Sequence, residues 1–210
     1  MRSLGLSLQS RTFEAKLKIF MKKLFTWLAA LVLTACMGTP ENVKVVDSVD
    51  ANQYLGTWYE IARLDHSFER DLEKVTATYS LRDDGGIKVI NRGFNSKTNE
   101  WKEAEGKAYF VDPPNADTTN TGKLKVSFFG PFYGAYNIMV LDKPYYNYVM
   151  VCGPDKSYLW ILSRTPQLTY PIKQHLIAQA KELGFDTEQL IHVVQSSEII
   201  NYKAGPHVNK

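Results

Sequence analysis

Few residues in this chain have a type and spacing that could do chemistry. There are two cysteines and four histidines in 210 residues. His66, His175, His192 and His207 lack metal-ligand spacing, and with two cysteines a four-cysteine zinc site is excluded. No G-x-S-x-G elbow, phosphate-binding loop or dinucleotide fingerprint occurs. Cys152 ends an apolar run with no histidine or basic side chain close by in sequence, so it reads as a small packed hydrophobe rather than a nucleophile. A more specific residue is Trp58, a large amphipathic side chain. An indole face attracts a guanidinium by about 0.5–2 kcal/mol, and such a pair suits the stopper of a barrel, with Gly56 letting the chain pass closely beneath it. These roles are structural. The sequence calls for no enzyme, no cofactor and no metal.

The other cysteine has a different setting. Met21-Lys22-Lys23 precedes the apolar run Leu24–Leu33, ten residues that rise roughly 15 Å as a helix, half a bilayer core. This is an export signal rather than a membrane span. It ends in Leu33-Thr34-Ala35-Cys36, which resembles the bacterial lipoprotein cleavage box, in which the cysteine becomes the lipid-modified N-terminus; the alternative is a plain secretory signal with Ala35 and Cys36 merely small residues near the cut. By the same analogy, Met37 rather than Asp after the cysteine implies sorting to the outer membrane. Met21 can serve as the true start, and residues 1–20 are given no function.

The expected organisation is residues 1–35 as extension and signal, 36–49 as a lipidated tether with little core of its own, 50–198 as the folded domain and 199–210 as a polar tail. The first 35 residues hold six of the 25 basic and one of the 22 acidic side chains. The remainder therefore carries 19 against 21, which argues against a nucleic-acid partner.

From Tyr54 to Arg164 runs rich in Val, Ile, Tyr, Phe, Trp and Thr recur between turn residues, with no helical period. They are Gly56–Leu64, Lys74–Arg82, Ile87–Asn95, Trp101–Val111, Lys123–Phe129, Tyr133–Asp142, Asn147–Cys152 and Tyr158–Arg164. Eight strands in series with short links form an antiparallel up-and-down meander, either a sandwich or a closed barrel. Closure removes both edges and leaves room for one small ligand. In Val75–Leu81, Leu124–Phe128 and Ala108–Phe110 one face is apolar and the other polar. The later strands are apolar on both faces, so an element must cover them. Thr169 as N-cap, Pro171 in the first turn and Gly184 as terminator bound a helix with the stripe Ile172, Leu176, Ala180 and Leu183. A short ninth strand, Leu190–Val194, follows. The fold class is all-β with one packed helix.

Gly56-Thr57-Trp58 at the start of strand one, the eight-stranded meander, the helix and Arg164 after strand eight together resemble the lipocalin family. Leu55–Arg63, Phe128–Gly134 and Tyr158–Pro166 are similar to the bacterial outer-membrane lipoprotein lipocalins, relatives of apolipoprotein D. The family's T-D-Y motif departs here: Asp142 and Tyr145–Tyr148 stand without the threonine. The resemblance implies an eight-stranded barrel whose G-x-W and terminal basic residue are Gly56, Trp58 and Arg164. It also implies storage or transport of membrane lipids in the cell envelope.

With Trp58 facing inward, Glu60 and Ala62 should do so too. The expected ligand-facing set is Glu60, Ala77, Tyr79, Val89, Asn91, Phe110, Phe128, Tyr136, Ile138, Tyr148, Met150 and Trp160. Asn91, Glu60 and tyrosine hydroxyls are the candidate contacts for a head group. Asp65–Leu72 and Phe129–Tyr133 are expected at the open rim, with Phe68 and Phe132 as an apolar lip or, equally, as staples of their own loops. The expectation is a carrier anchored through Cys36 that holds a fatty acid or lysophospholipid. Alternatives are another apolar ligand (haem, retinoid or quinone), an enzyme acting on a lipid, and a structural envelope protein with a filled barrel. A homodimer stays open.

Overall fold

The computed structural model describes residues 38–115 and 118–195; the signal, Cys36 and the tail lie outside them. A short helix α1 (Ala51–Tyr54) leads into eight strands: β1 (Gly56–Arg63), β2 (Leu72–Leu81), β3 (Ile87–Asn95), β4 (Glu100–Phe110), β5 (Lys123–Phe129), β6 (Phe132–Leu141), β7 (Tyr148–Cys152) and β8 (Leu159–Ser163). Each pairs antiparallel with the next, and β1 pairs with both β2 and β8, so the sheet closes on itself. Helix α2 (Tyr170–Glu182), a 3₁₀ turn (Thr187–Gln189) and β9 (Ile191–His192) complete the described chain. Among the described residues no helix is long and apolar enough to cross a membrane.

Two apolar clusters follow from this closure. The barrel interior holds Trp58, Tyr79, Val89, Leu124, Ile138, Val149, Val151 and Leu162, with Tyr54 and Val49 at its base. The second cluster, outside the wall, joins Leu159, Ile161, Met150 and Met139 to Leu176 and Ala180 of α2. The expected helix therefore covers the doubly apolar strands. Its Pro171 sits in the first turn, and Gly184 (φ 85°) follows its C-terminus. Thr169 is the N-cap by position but makes no side-chain cap hydrogen bond.

Two β-bulges correct the inward assignments. Between Glu60 and Ala62 the register against β8 shifts, and between Ile138 and Val140 the register against β7 shifts. A bulge sets two residues of one strand against one of its partner and so breaks the alternation. Ile61 and Ala62 both pack on the helix side, as do Met139 and Val140. Ala62 is thus not an inward residue. Tyr148 and Met150 are not inward either: β7 turns Val149 and Val151 to the interior and gives Tyr148 and Met150 to the helix-side cluster. Leu81, at the end of its strand, is 59% exposed.

The segment before the barrel is more than a tether. Val49 is fully buried and bridges Asn120, Val46 pairs with Ile138 and Gly122, and Val43 joins the helix-side cluster. The ninth strand is shorter than expected, but its backbone does more. β1 and β2 pair only from Gly56 to Tyr59 and then diverge. The segment after β9 fills the fork, with Val193 N donating to Ile61 O and Lys74 N to Val194 O. The Gln195 amide donates to Glu60 O at 2.6 Å and Val75 O at 2.8 Å, clasping both strands.

Candidate functional site

The closed end is built around one indole. Asp50 caps α1, accepting from Asn52 N at 2.8 Å, while its own N–H donates to Tyr146 Oη at 2.9 Å. That helix presents Tyr54 O to Trp58 Nε1 at 2.9 Å. Trp58 is fully buried, and the Arg164 guanidinium lies 3.9 Å from its ring centre. Arg164 also donates to Gln53 O at 2.6 Å, Thr57 O at 3.1 Å and Tyr146 O at 3.2 Å, joining three segments of chain. Gly56 has φ 92°, and a Cβ there would stand 3.4 Å from Arg164 Nη1.

Above this stopper three tyrosine hydroxyls meet. Tyr136 Oη lies 2.7 Å from Tyr54 Oη and 3.1 Å from Tyr79 Oη. Burial raises all three phenols well above their ordinary range, so they stay neutral. Three O–H donors share two contacts, which leaves one hydrogen to offer a ligand.

At the mouth the charges are buried. Arg63 Nη1 donates to Glu60 Oε1 at 2.8 Å and Arg63 Nη2 to Glu69 O at 2.7 Å, while Trp160 Nε1 donates to Glu69 Oε2 at 3.0 Å. Two carboxyls share one guanidinium. Burial, and then the charge of Glu69, raises Glu60 to about 8 against the pull of Arg63. Burial raises Glu69 as well. Beside them His66 stacks between Phe68 and Tyr158, at 5.3 and 4.7 Å between ring centres, and its Nε2 is buried without a partner. Burial, then Arg63, lowers His66 to about 4.

Between the two ends the wall is apolar and only partly buried. The register carries one inward row from Trp58 through Ala77 and Asn91 to Ala104. Ala104 is exposed even though it faces inward. Ala77, Phe110, Val126, Phe128, Tyr136 and Trp160 pack against the interior cluster yet stay only half-buried. Asn91 Oδ1 is buried without a partner on the same row. Solvent therefore reaches the inner wall, and the arrangement can take an elongated apolar molecule with polar contacts at either end. Cys152 is fully buried, and burial pushes its thiol up to about 12, which removes the thiolate. Among the described residues no three or more His, Cys, Asp or Glu side chains are grouped to hold a metal ion.

The Lipocalin-like domain family matches residues 49–195, the whole barrel with its helix and ninth strand. The chain is a lipocalin. It is 54% identical over 175 residues to the outer membrane lipoprotein Blc of Vibrio cholerae, covering 83% of this chain and 99% of that one. To the Blc of Escherichia coli K12 it is 55% identical over 169 residues, 80% of this chain and 92% of that protein. Bovine apolipoprotein D is 33% identical over 139 residues, 63% of this chain and 69% of its own. Among solved structures, insecticyanin of the tobacco hornworm Manduca sexta superposes with a TM-score of 0.59 at 25% identity, over 76% of this chain and 88% of its own.

Of the residues singled out in this lipocalin's sequence, Tyr79, Val89 and Ile138 lie in the interior cluster, and Ala77, Phe110, Phe128, Tyr136 and Trp160 against it. Glu60 is buried at the mouth and Asn91 sits on the inner row. Cys36 is outside the described residues. Sequence reasoning missed Tyr54, Arg63, His66, Glu69 and Gln195. For Arg63 no signal existed: three residues from Glu60 on a regular strand it would face the opposite way, and only the bulge brings the two together.

Proposed function

We propose that this lipocalin is a membrane-anchored, non-catalytic carrier that holds a fatty acid or lysophospholipid inside its barrel. The observation that carries the reading is the inner wall, where Ala77, Phe110, Val126, Phe128, Tyr136 and Trp160 stay only half-buried above a fully buried stopper. Burying an acyl chain there gains about 0.8 kcal/mol per CH₂. The tyrosine trio and the Glu60–Arg63–Glu69 group offer hydrogen-bonding partners to a head group from below and above. With its carboxyls raised, the upper group presents less negative charge to a head group than two ionised glutamates would.

Relatives at 54–56% identity are named outer membrane lipoproteins, and this chain takes the same place, held by an acyl anchor on Cys36. Its role is storage or movement of membrane lipids within the envelope. Native mass spectrometry of the protein extracted from its own membrane tests both parts. The expected spectrum shows an acylated N-terminal Cys36 and one retained lipid that leaves on delipidation. A mature chain that begins elsewhere removes the anchor, and an interior that takes up no lipid after delipidation removes the carrier.

A further inference from the structure

The rim of the barrel is cut obliquely. β3 and β4 have nine and eleven residues, whereas β5, β7 and β8 have seven, five and five. β4 pairs with β5 only from Lys107 to Phe110, so its first seven residues, Glu100 to Gly106, rise beyond the last rung shared with β5. The high wall is charged outside, with Lys88 bonded to Glu105 at 2.9 Å and Arg92 laid over Trp101. The low lip is aromatic. Phe129 and Phe132, at the β5–β6 turn, are 82% and 66% exposed. Phe68 in the β1–β2 loop is 63% exposed, and the stack on His66 and Tyr158 ties it to the β7–β8 loop.

The chain also enters on the low side. Asn137 of β6 donates from Nδ2 to Gly38 O at 3.1 Å and to Gly153 O at 2.9 Å, the residue that follows β7, and Thr39 Oγ1 donates to Asn137 Oδ1 at 3.2 Å. Cys36 is two residues before Gly38, and two residues span at most about 7 Å. An acyl chain on Cys36 therefore holds the surface of a bilayer close to the β6–β7 flank, on the strand that begins with Phe132.

We propose that the low lip at the β5–β6 turn is a membrane-docking surface: Phe129 and Phe132 enter the interfacial layer of the leaflet that carries the anchor, so that the oblique mouth faces lipid. This rests on the acylation of Cys36 proposed above. Phe129 and Phe132 are the exposed aromatic side chains on the flank that carries the anchor, and tethering turns their weak insertion into an intramolecular event. A lipid then passes between leaflet and barrel without crossing water.

The test uses the full-length acylated protein in vesicles of phosphatidylethanolamine and phosphatidylglycerol, some of them with brominated acyl chains. An environment-sensitive fluorophore is placed by Phe132→Cys at the lip or by Tyr145→Cys at the closed end, where Tyr145 is 77% exposed. The thiol of Cys152 is buried and does not compete for the label. The expected result is a blue shift and loss of emission at position 132, with position 145 unchanged. Loss at 145, or at neither site, overturns the docking surface. The intact mass of the same sample separates the two claims. An unmodified Cys36 overturns the anchor and the docking together, whereas an acylated protein with an unquenched lip overturns the docking alone.

Discussion

Trp160 donates its indole N–H to Glu69 Oε2 at 3.0 Å and so ties β8 to the loop that folds over the mouth. The same loop is held by Arg63 through Glu69 O. Replacing the indole donor removes the hydrogen bond to a buried carboxyl oxygen and leaves it only the 3.9 Å ion pair with Arg63, which costs about 1–3 kcal/mol. Trp160→Phe should lose that much in urea unfolding while keeping its ring packing, and hydrogen exchange in residues 65–71 should quicken. An unchanged loop would mean that Arg63 alone holds it.

The buried acid pair gives stability a pH dependence of known sign. Glu60 is raised from 4.5 to about 8, so the folded protein keeps a proton that the unfolded chain gives up, and stability falls as pH rises through that range. His66 opposes this at lower pH. It is lowered from 6.5 to about 4, so its contribution grows as pH rises to 6.5 and is complete above it. Between pH 6.5 and 8 the acid pair acts without that opposition, and the midpoint of urea unfolding should decline. Glu60→Gln should flatten the decline, because the amide still accepts from Arg63 and carries no proton to lose.

Arg164→Lys should cost about 1–3 kcal/mol in chemical unfolding, since an ammonium cannot keep three carbonyl contacts and lie flat on an indole. The near-ultraviolet signal of Trp58 should weaken with it. Lipid affinity should change little, because the stopper lies below the cavity.

How much of this was legible in the sequence depended on parity. Strands with one polar face, such as Lys123–Phe129, declared their inward residues, and so did the helix through Leu176 and Ala180. Strand β7 is apolar on both faces, so composition gave no reason to prefer Val149 and Val151 over Tyr148 and Met150. The bulge after Glu60 has no residue signature, and it alone brings Arg63 to Glu60 and sends Ala62 outward. Gln195 clasps a fork that exists only once β1 and β2 have separated.

Ala77 separates a hollow interior from a packed one. It faces inward on the row of Trp58 and Asn91 and is only half-buried. In a filled core Ala77→Phe would cost about 1–3 kcal/mol through overpacking. The expected outcome is a stability change of under about 1 kcal/mol, read from the denaturation midpoint, with the new ring lying in space otherwise open to ligand.

The central claim, a lipid-holding interior, is tested most directly by calorimetric titration of the delipidated protein with a lysophospholipid, on the natural chain and on Ala77→Phe. Saturable uptake of one lipid per barrel, weakened at least about tenfold (1.4 kcal/mol) by the substitution, is the predicted result. No saturable heat from the natural chain, or equal affinity in both proteins, would contradict it.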